Sequence, residues 1–171
     1  MNVLSSLQDQ VIDEIKTELS DSGGTALVRV RRVENDDEVI IGEQIQANER
    51  QVAKWPHVYV YSGVLTEDET DTTNRLMYGT AQFRTFVGTR NANSDNLEAQ
   101  KRLADKWCIY VASAIAGKRF GVAPYTTDES ARNITIDPIA NTENNALWEV
   151  SFQIPVHLSF DKVLQNVQNE A

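Results

Sequence analysis

Across the first twenty residues, Val3, Leu4, Leu7, Val11, Ile12, Ile15 and Leu19 recur at steps of three and four in otherwise polar sequence. That period predicts an amphipathic helix with one face on a core. Gly23-Gly24 is expected to end it, since glycine tolerates the left-handed turn that follows a helix. Residues 26 to 33 then read as a strand. Glu34-Asn35-Asp36-Asp37 reads as a polar turn, and Glu38-Val39-Ile40-Ile41 as an apolar return, which predicts a hairpin. Residues 42 to 57 have weak periodicity, compatible with irregular structure or a helical turn, up to Pro56. His57-Val58-Tyr59-Val60-Tyr61 predicts a further strand, closed by Ser62-Gly63.

Residues 66 to 74 contain no apolar side chain and are expected to form an exposed, mobile loop. A long strand is predicted from Leu76 to Val87. Met77, Gly79, Ala81, Phe83, Thr85 and Val87 share one of its faces; Tyr78, Gln82, Arg84 and Phe86 share the other. Asp95 with Glu98 suggests a reciprocal cap for a second helix. Its apolar face is Leu97, Leu103, Ala104, Trp107, Cys108, Val111, Ala114 and Ile115, and Gly117 stops it. Residues 118 to 133 read as a long connection, Ile134-Thr135-Ile136 as a short strand broken by Asp137-Pro138. The cleanest alternation follows, with Trp148, Val150, Phe152, Ile154, Val156 and Leu158 on one side and Glu149, Ser151, Gln153, His157 and Ser159 on the other. Pro155 places an edge or a bulge in that strand. The last residues, with Phe160, Val163, Leu164 and Val167 at helical spacing, are too short to be stable alone and dock on their own domain or on a neighbour.

This order predicts an α+β fold, a mainly antiparallel sheet with two principal helices packed on one face and a short C-terminal helix. One domain is expected over residues 1–160, with an amphipathic tail at 161–171. A chain of 171 residues buries roughly two thirds of its unfolded surface and needs no staples. With 25 acidic against 16 basic residues the net charge is −9, which opposes binding of the whole protein to a phosphate backbone. No apolar run approaches the ~20 residues that span a bilayer, and the N-terminus turns polar too early for a signal peptide.

Candidate chemistry is sparse. Cys108 is the only cysteine, so no internal disulfide forms, and His57 and His157 are not at metal-motif spacing from it or from each other. A Cys108 nucleophile activated by His57 or His157 is formally available, but Cys108 falls on the apolar side of its helix, where cysteine acts as a small hydrophobe. Glu67, Asp68, Glu69 and Asp71 lack the oxygen spacing and central glycine of a helix-loop-helix calcium site and read as a solvated loop. Arg29, Arg31 and Arg32 read as the wet side of a strand. Trp55, Tyr59, Tyr61, Tyr78 and Phe86 fit either a protein-protein surface or core packing. No catalytic, cofactor-binding or metal-ligating residue is assigned, and no cofactor is expected.

Several stretches taken in order resemble the tail terminator and tail-completion proteins of tailed bacteriophages. They are the N-terminal amphipathic helix, the strand entry Trp55-Pro56-His57-Val58-Tyr59-Val60 ending near Gly63, and the strand Gly79-Thr80-Ala81-Gln82-Phe83-Arg84-Thr85-Phe86-Val87. The helix 95–116 ending in Ala116-Gly117 and the strand Ala146-Leu147-Trp148-Glu149-Val150-Ser151-Phe152 complete the set. The resemblance covers about residues 3 to 160. It implies a non-enzymatic virion protein, made in the host cytoplasm, that self-associates into a hexameric ring. Such a ring caps the tail tube and joins neck or connector proteins, with no membrane partner and DNA passing without specific binding. The alternatives are another phage minor tail or head-tail connector protein, or a non-phage protein-binding module.

Overall fold

The computed structural model describes residues 2–38, 41–42, 56–93 and 95–170. In chain order the elements are α1 (Val3–Glu18), β1 (Arg29–Val33), β2 (His57–Asp71), β3 (Leu76–Thr89) and α2 (Leu97–Ile115). Two short strands, β4 (Arg119–Phe120) and β5 (Glu129–Ser130), precede β6 (Arg132–Asn141), β7 (Ala146–Ser159) and α3 (Phe160–Glu170). The main sheet has the order β1-β2-β3-β7-β6, antiparallel except for the β1–β2 pair. This is the expected α+β architecture.

Both principal helices lie on one face of that sheet. Leu7, Val11 and Ile15 of α1 and Cys108, Val111 and Ile115 of α2 share one core with Val58, Val60, Phe83, Phe152 and Ile154. The Phe83 and Phe152 rings stack with centroids 5.3 Å apart at the centre of the β3–β7 ladder. A smaller core occupies the opposite face at one end of the sheet, where Val33, Ile41, Tyr59, Phe86 and Leu147 are buried together.

Amide side chains tie the helices to the sheet. Buried Gln8 on α1 donates to the carbonyls of Val33 (3.2 Å) and Val60 (2.8 Å), which satisfies acceptors where β1 and β2 part. Gln10 donates to the Gly121 carbonyl and accepts from its N–H. Gln100 on α2 accepts from Asn91 N–H and donates to the carbonyls of Asn91 and Glu143, joining two loops.

Several expectations are corrected. The helix α1 ends at Glu18; Gly24, at φ +81°, forms the tight turn that follows, where the Asp21 carboxylate accepts from Gly23 and Thr25. Among the described residues the strand at 29–33 has a different partner from the one expected: β1 pairs in parallel with β2. At the described positions 38 and 41 the chain is helical, and Ile41 N–H donates to the Asp37 carbonyl. The expectations for Val39 and Ile40, and for most of 42–57 with Trp55, lie outside the described residues. The second helix is capped by Asn96, whose side chain accepts from Glu98 and Ala99 N–H, while Glu98 pairs with Arg102 one turn on. Within 118–133 the small β4–β5 pair forms. Strand β6 runs through Pro138 with a bulge, which an edge strand accepts because that position lacks a second neighbour. Pro155 behaves as expected: β6 pairing reaches only Gln153 and a bridge to Thr126 resumes at Leu158.

The largest correction concerns residues 66–74. Strand β2 continues to Asp71 and returns through β3, which stays paired with β7 as far as Leu76–Ser159, so the acidic segment is the edge strand of a sheet extension, the arm, and not a loop. Register shifts fall between Ser62 and Leu65 and between Glu67 and Glu69. Gly79 lies opposite the second shift, and a β-carbon there would sit 2.7 Å from the Thr66 carbonyl oxygen. Only glycine lets the two backbones approach this closely without a displacement.

Phe83→Ala is expected to lower stability by about 3–5 kcal/mol, since it removes a fully buried ring and leaves a cavity. Val64→Ala, at a residue 69% exposed on the arm, is expected to change it by less than about 0.5 kcal/mol. Urea unfolding of the two variants checks both values.

Candidate functional site

Residues flagged for chemistry in the sequence have structural duties. Cys108 is fully buried in the helix–sheet core. Burial, with a smaller contribution from Asp105, pushes its thiol up to about 12, so it stays protonated and poorly nucleophilic at neutral pH. His57 is also fully buried, at the start of β2, with its ring stacked 6.3 Å from Tyr59. Desolvation, reinforced by the nearby Arg29 and Arg31, lowers its pKa to about 4 and keeps the imidazole neutral. His157 sits on β7 at the other end of the sheet, edge-on to Tyr78 at 4.7 Å and 3.5 Å from Glu129. The register partners of the two histidines on β3 are Gly88 and Tyr78, so they stand on the order of 30 Å apart.

The arm carboxylates are used locally. Asp71 accepts from Thr73 and Asn74, and the Asn74 side chain holds its pKa below the ordinary value. Asp68 accepts from Thr80 Oγ1 at 2.7 Å, and Glu67 from Thr70 Oγ1 at 2.6 Å. Among the described residues no group of three or more His, Cys, Asp or Glu side chains is placed to hold a metal ion. Arg32 clasps α1, donating to Ser5 and to Asp9 at 2.6 Å, and the Asp9 hydrogen bond raises its pKa. Of the aromatics, Tyr59 and Phe86 are core residues of the smaller cluster, while Tyr61 packs on its margin.

The densest charge network, centred on Arg84, was not foreseen. Its guanidinium forks onto Glu149 at 2.7 and 2.8 Å, reaches Glu38 at 3.0 Å and Asp36 at 3.3 Å, and lies 4.9 Å over the Phe86 ring. Bonding to Glu149 raises the Arg84 pKa above its ordinary value. Bidentate geometry is the strong form of this contact, and it pins the segment after β1 onto the helix-free face of the sheet. Arg84 and Glu149 lie on neighbouring central strands, and their proximity follows from a register that the one-dimensional pattern does not contain.

Two surfaces expose apolar side chains, although α3 is tethered by Tyr125 OH donating to Asn166 Oδ1 at 2.7 Å. At one end of the sheet the arm stands beside α3, joined by an ion pair from Arg75 to Asp161 at 2.7 Å and by Phe160 N–H donating to the Arg75 carbonyl. No residue of α3 is buried, and Leu164 and Val167 are 49% and 55% exposed. The second surface is the outer face of α2, where Ile109 and Tyr110 are exposed off the buried stripe. Beside it, an open groove of about 330 Å³ runs between Lys101, Arg102 and Asp105 of α2 and Pro138, Asn141 and Trp148 of the sheet edge. Sequence periodicity does signal Ile109 and Tyr110, because both break the three-four step of the buried face.

Among the described residues no helix is long and apolar enough to cross a membrane. No protein-family model matches the chain, and no curated protein matches it. Its function is therefore argued from these surfaces.

The neutral state of His57 sets a pH dependence. The unfolded state, with an ordinary pKa near 6.5, binds a proton that the folded state refuses until about pH 4. Stability is thus unaffected by this group above about pH 6.5 and falls as pH drops toward about 4, by a total of about 2–4 kcal/mol. In urea unfolding at stepped pH, His57→Leu is expected to flatten the slope in that window relative to the unsubstituted protein.

Proposed function

We propose that this chain is a structural virion subunit that closes into a ring, as a tail terminator or closely related tail-completion protein of a tailed bacteriophage. The observation that carries this reading is α3, an eleven-residue helix that buries none of its own residues yet exposes Leu164 and Val167. A helix of this length is marginal alone in water, so its apolar side gains most of its stabilisation from a partner. The arm beside it extends the same end of the molecule. Surfaces of this kind suit a heterologous contact, in which one patch on each subunit meets a different patch on the next and the chain of contacts closes.

The mechanism is steric. A closed ring on the end of a tail tube leaves no free growth face and offers a new one to neck proteins. An excess of carboxylates over cations keeps passing DNA from adhering. The burial of Cys108, whose thiol stays protonated, and of His57, a weakly basic imidazole out of contact with solvent, agrees with a structural role.

Native mass spectrometry across a wide concentration range is expected to show a discrete hexamer, free or formed on added tail tubes. A chain ending at Phe160 is expected to lose about 1–2 kcal/mol of stability, since it forfeits the exposed Arg75–Asp161 pair, the part-buried Tyr125–Asn166 hydrogen bond and the half-buried Val163, none of them in the core, while losing ring formation. A full-length chain that stays monomeric or dimeric at every concentration and leaves added tubes uncapped overturns the proposal.

A further inference from the structure

The arm end and the outer face of α2 differ in a way that suits them to each other. Residues 62–75 and 160–170 carry six carboxylates against two cations. The helix α2 reverses the balance of the chain, with Lys101, Arg102 and Lys106 against Glu98 and Asp105. Arg102 is paired with Glu98 at 3.1 Å, whereas Lys101 and Lys106 make no ion pair among the described residues, and Lys106 stands 5.7 Å over the Tyr110 ring. Each surface also carries apolar side chains, Leu164 and Val167 on one and Ile109 and Tyr110 on the other.

Two copies of a chain with net charge −9 repel each other in most orientations. An orientation that sets the carboxylate-rich end against α2 replaces repulsion with attraction while covering apolar surface on both sides. Strand addition is the competing mode, and the sheet edges oppose it. The outer edge of β2 beyond Tyr61 carries two register shifts and a run of charges, and the β6 edge carries Pro138 and a bulge. Docking through side chains is left as the favoured mode.

We propose that the arm end of one copy docks on the outer face of α2 in a second copy. Leu164 and Val167 cover Ile109 and Tyr110 while Glu67 and Glu69 meet Lys101 and Lys106. This inference rests on the ring reading above and names the contact that closes it. Donor and acceptor are different patches, so the contact is heterologous and propagates around a ring.

Charge exchange in the full chain tests it, with assembly read by native mass spectrometry in the same form, free or on tubes, that the unsubstituted protein takes. Lys101→Glu with Lys106→Glu, and separately Glu67→Lys with Glu69→Lys, are each expected to raise the concentration for half-assembly on the order of tenfold or more. A chain carrying all four substitutions is expected to return to within about threefold of the unsubstituted value. Matching circular dichroism and melting curves confirm that each variant is folded. Assembly that ignores either reversal, or a folded four-substitution chain that fails to recover, overturns this contact and leaves the ring reading standing. An unsubstituted chain that assembles neither free nor on tubes removes both.

Discussion

The layout follows from a mismatch of lengths. Strand β3 has 14 residues and β7 another 14, a span of roughly 46 Å each at the rise of an extended chain. The helices that cover them have 16 and 19 residues, roughly 24 and 28 Å at the rise of an α-helix. A sheet this long cannot be roofed by helices this short. The covered part holds the Phe83–Phe152 core, and the uncovered part becomes the arm. The chain places its acidic, apolar-poor sequence of residues 66–74 where the roof ends.

Polar side chains with fixed geometry hold the covered part together. Gln8, Gln10 and Gln100 each satisfy more than one backbone group at a place where regular pairing stops. Arg32 and Arg84 act similarly on opposite sides of the sheet, one gripping α1 and the other gripping the segment after β1. Glu149 is about nine-tenths buried and depends on the Arg84 fork for its charge compensation. A buried carboxylate deprived of its partner costs far more than the pair itself contributes, so such networks specify an arrangement more than they add stability.

Periodicity revealed the parts of this fold whose faces are chemically distinct. The stripe of α1, the wide face of α2 and the alternation of β7 were legible because burial on one side repeats at a fixed step. The hairpin expected at residues 26–41 did not anticipate the parallel pairing of β1 with β2, because local turn residues carry no information about a partner strand that arrives more than twenty residues later. The arm was read as a loop because both of its faces are wet in this chain, and a strand without a buried face leaves no alternation. Asp95 was favoured over Asn96 as a cap because both residue types suit that position and sequence alone does not choose between neighbours. In the core, the neutrality of Cys108 was foreseeable from its apolar neighbours. The Arg84 network was not, since its members come from three segments joined only by register.

Gly79 keeps the edge strand close to its neighbour. The β-carbon it lacks would strike the Thr66 carbonyl, so the seat of β2 on β3 at this point depends on how closely these two backbones approach. In a closed assembly every subunit repeats the same turn, and an angular error at one contact is compounded at each of the others until the last subunit misses the first. An edge strand laddered onto β3, itself laddered onto β7, suppresses that accumulation, whereas a mobile loop of the same composition would let closed rings and open spirals form side by side. In the proposed ring, the space left by a single missing methyl group would thus help to hold each contact at the same angle.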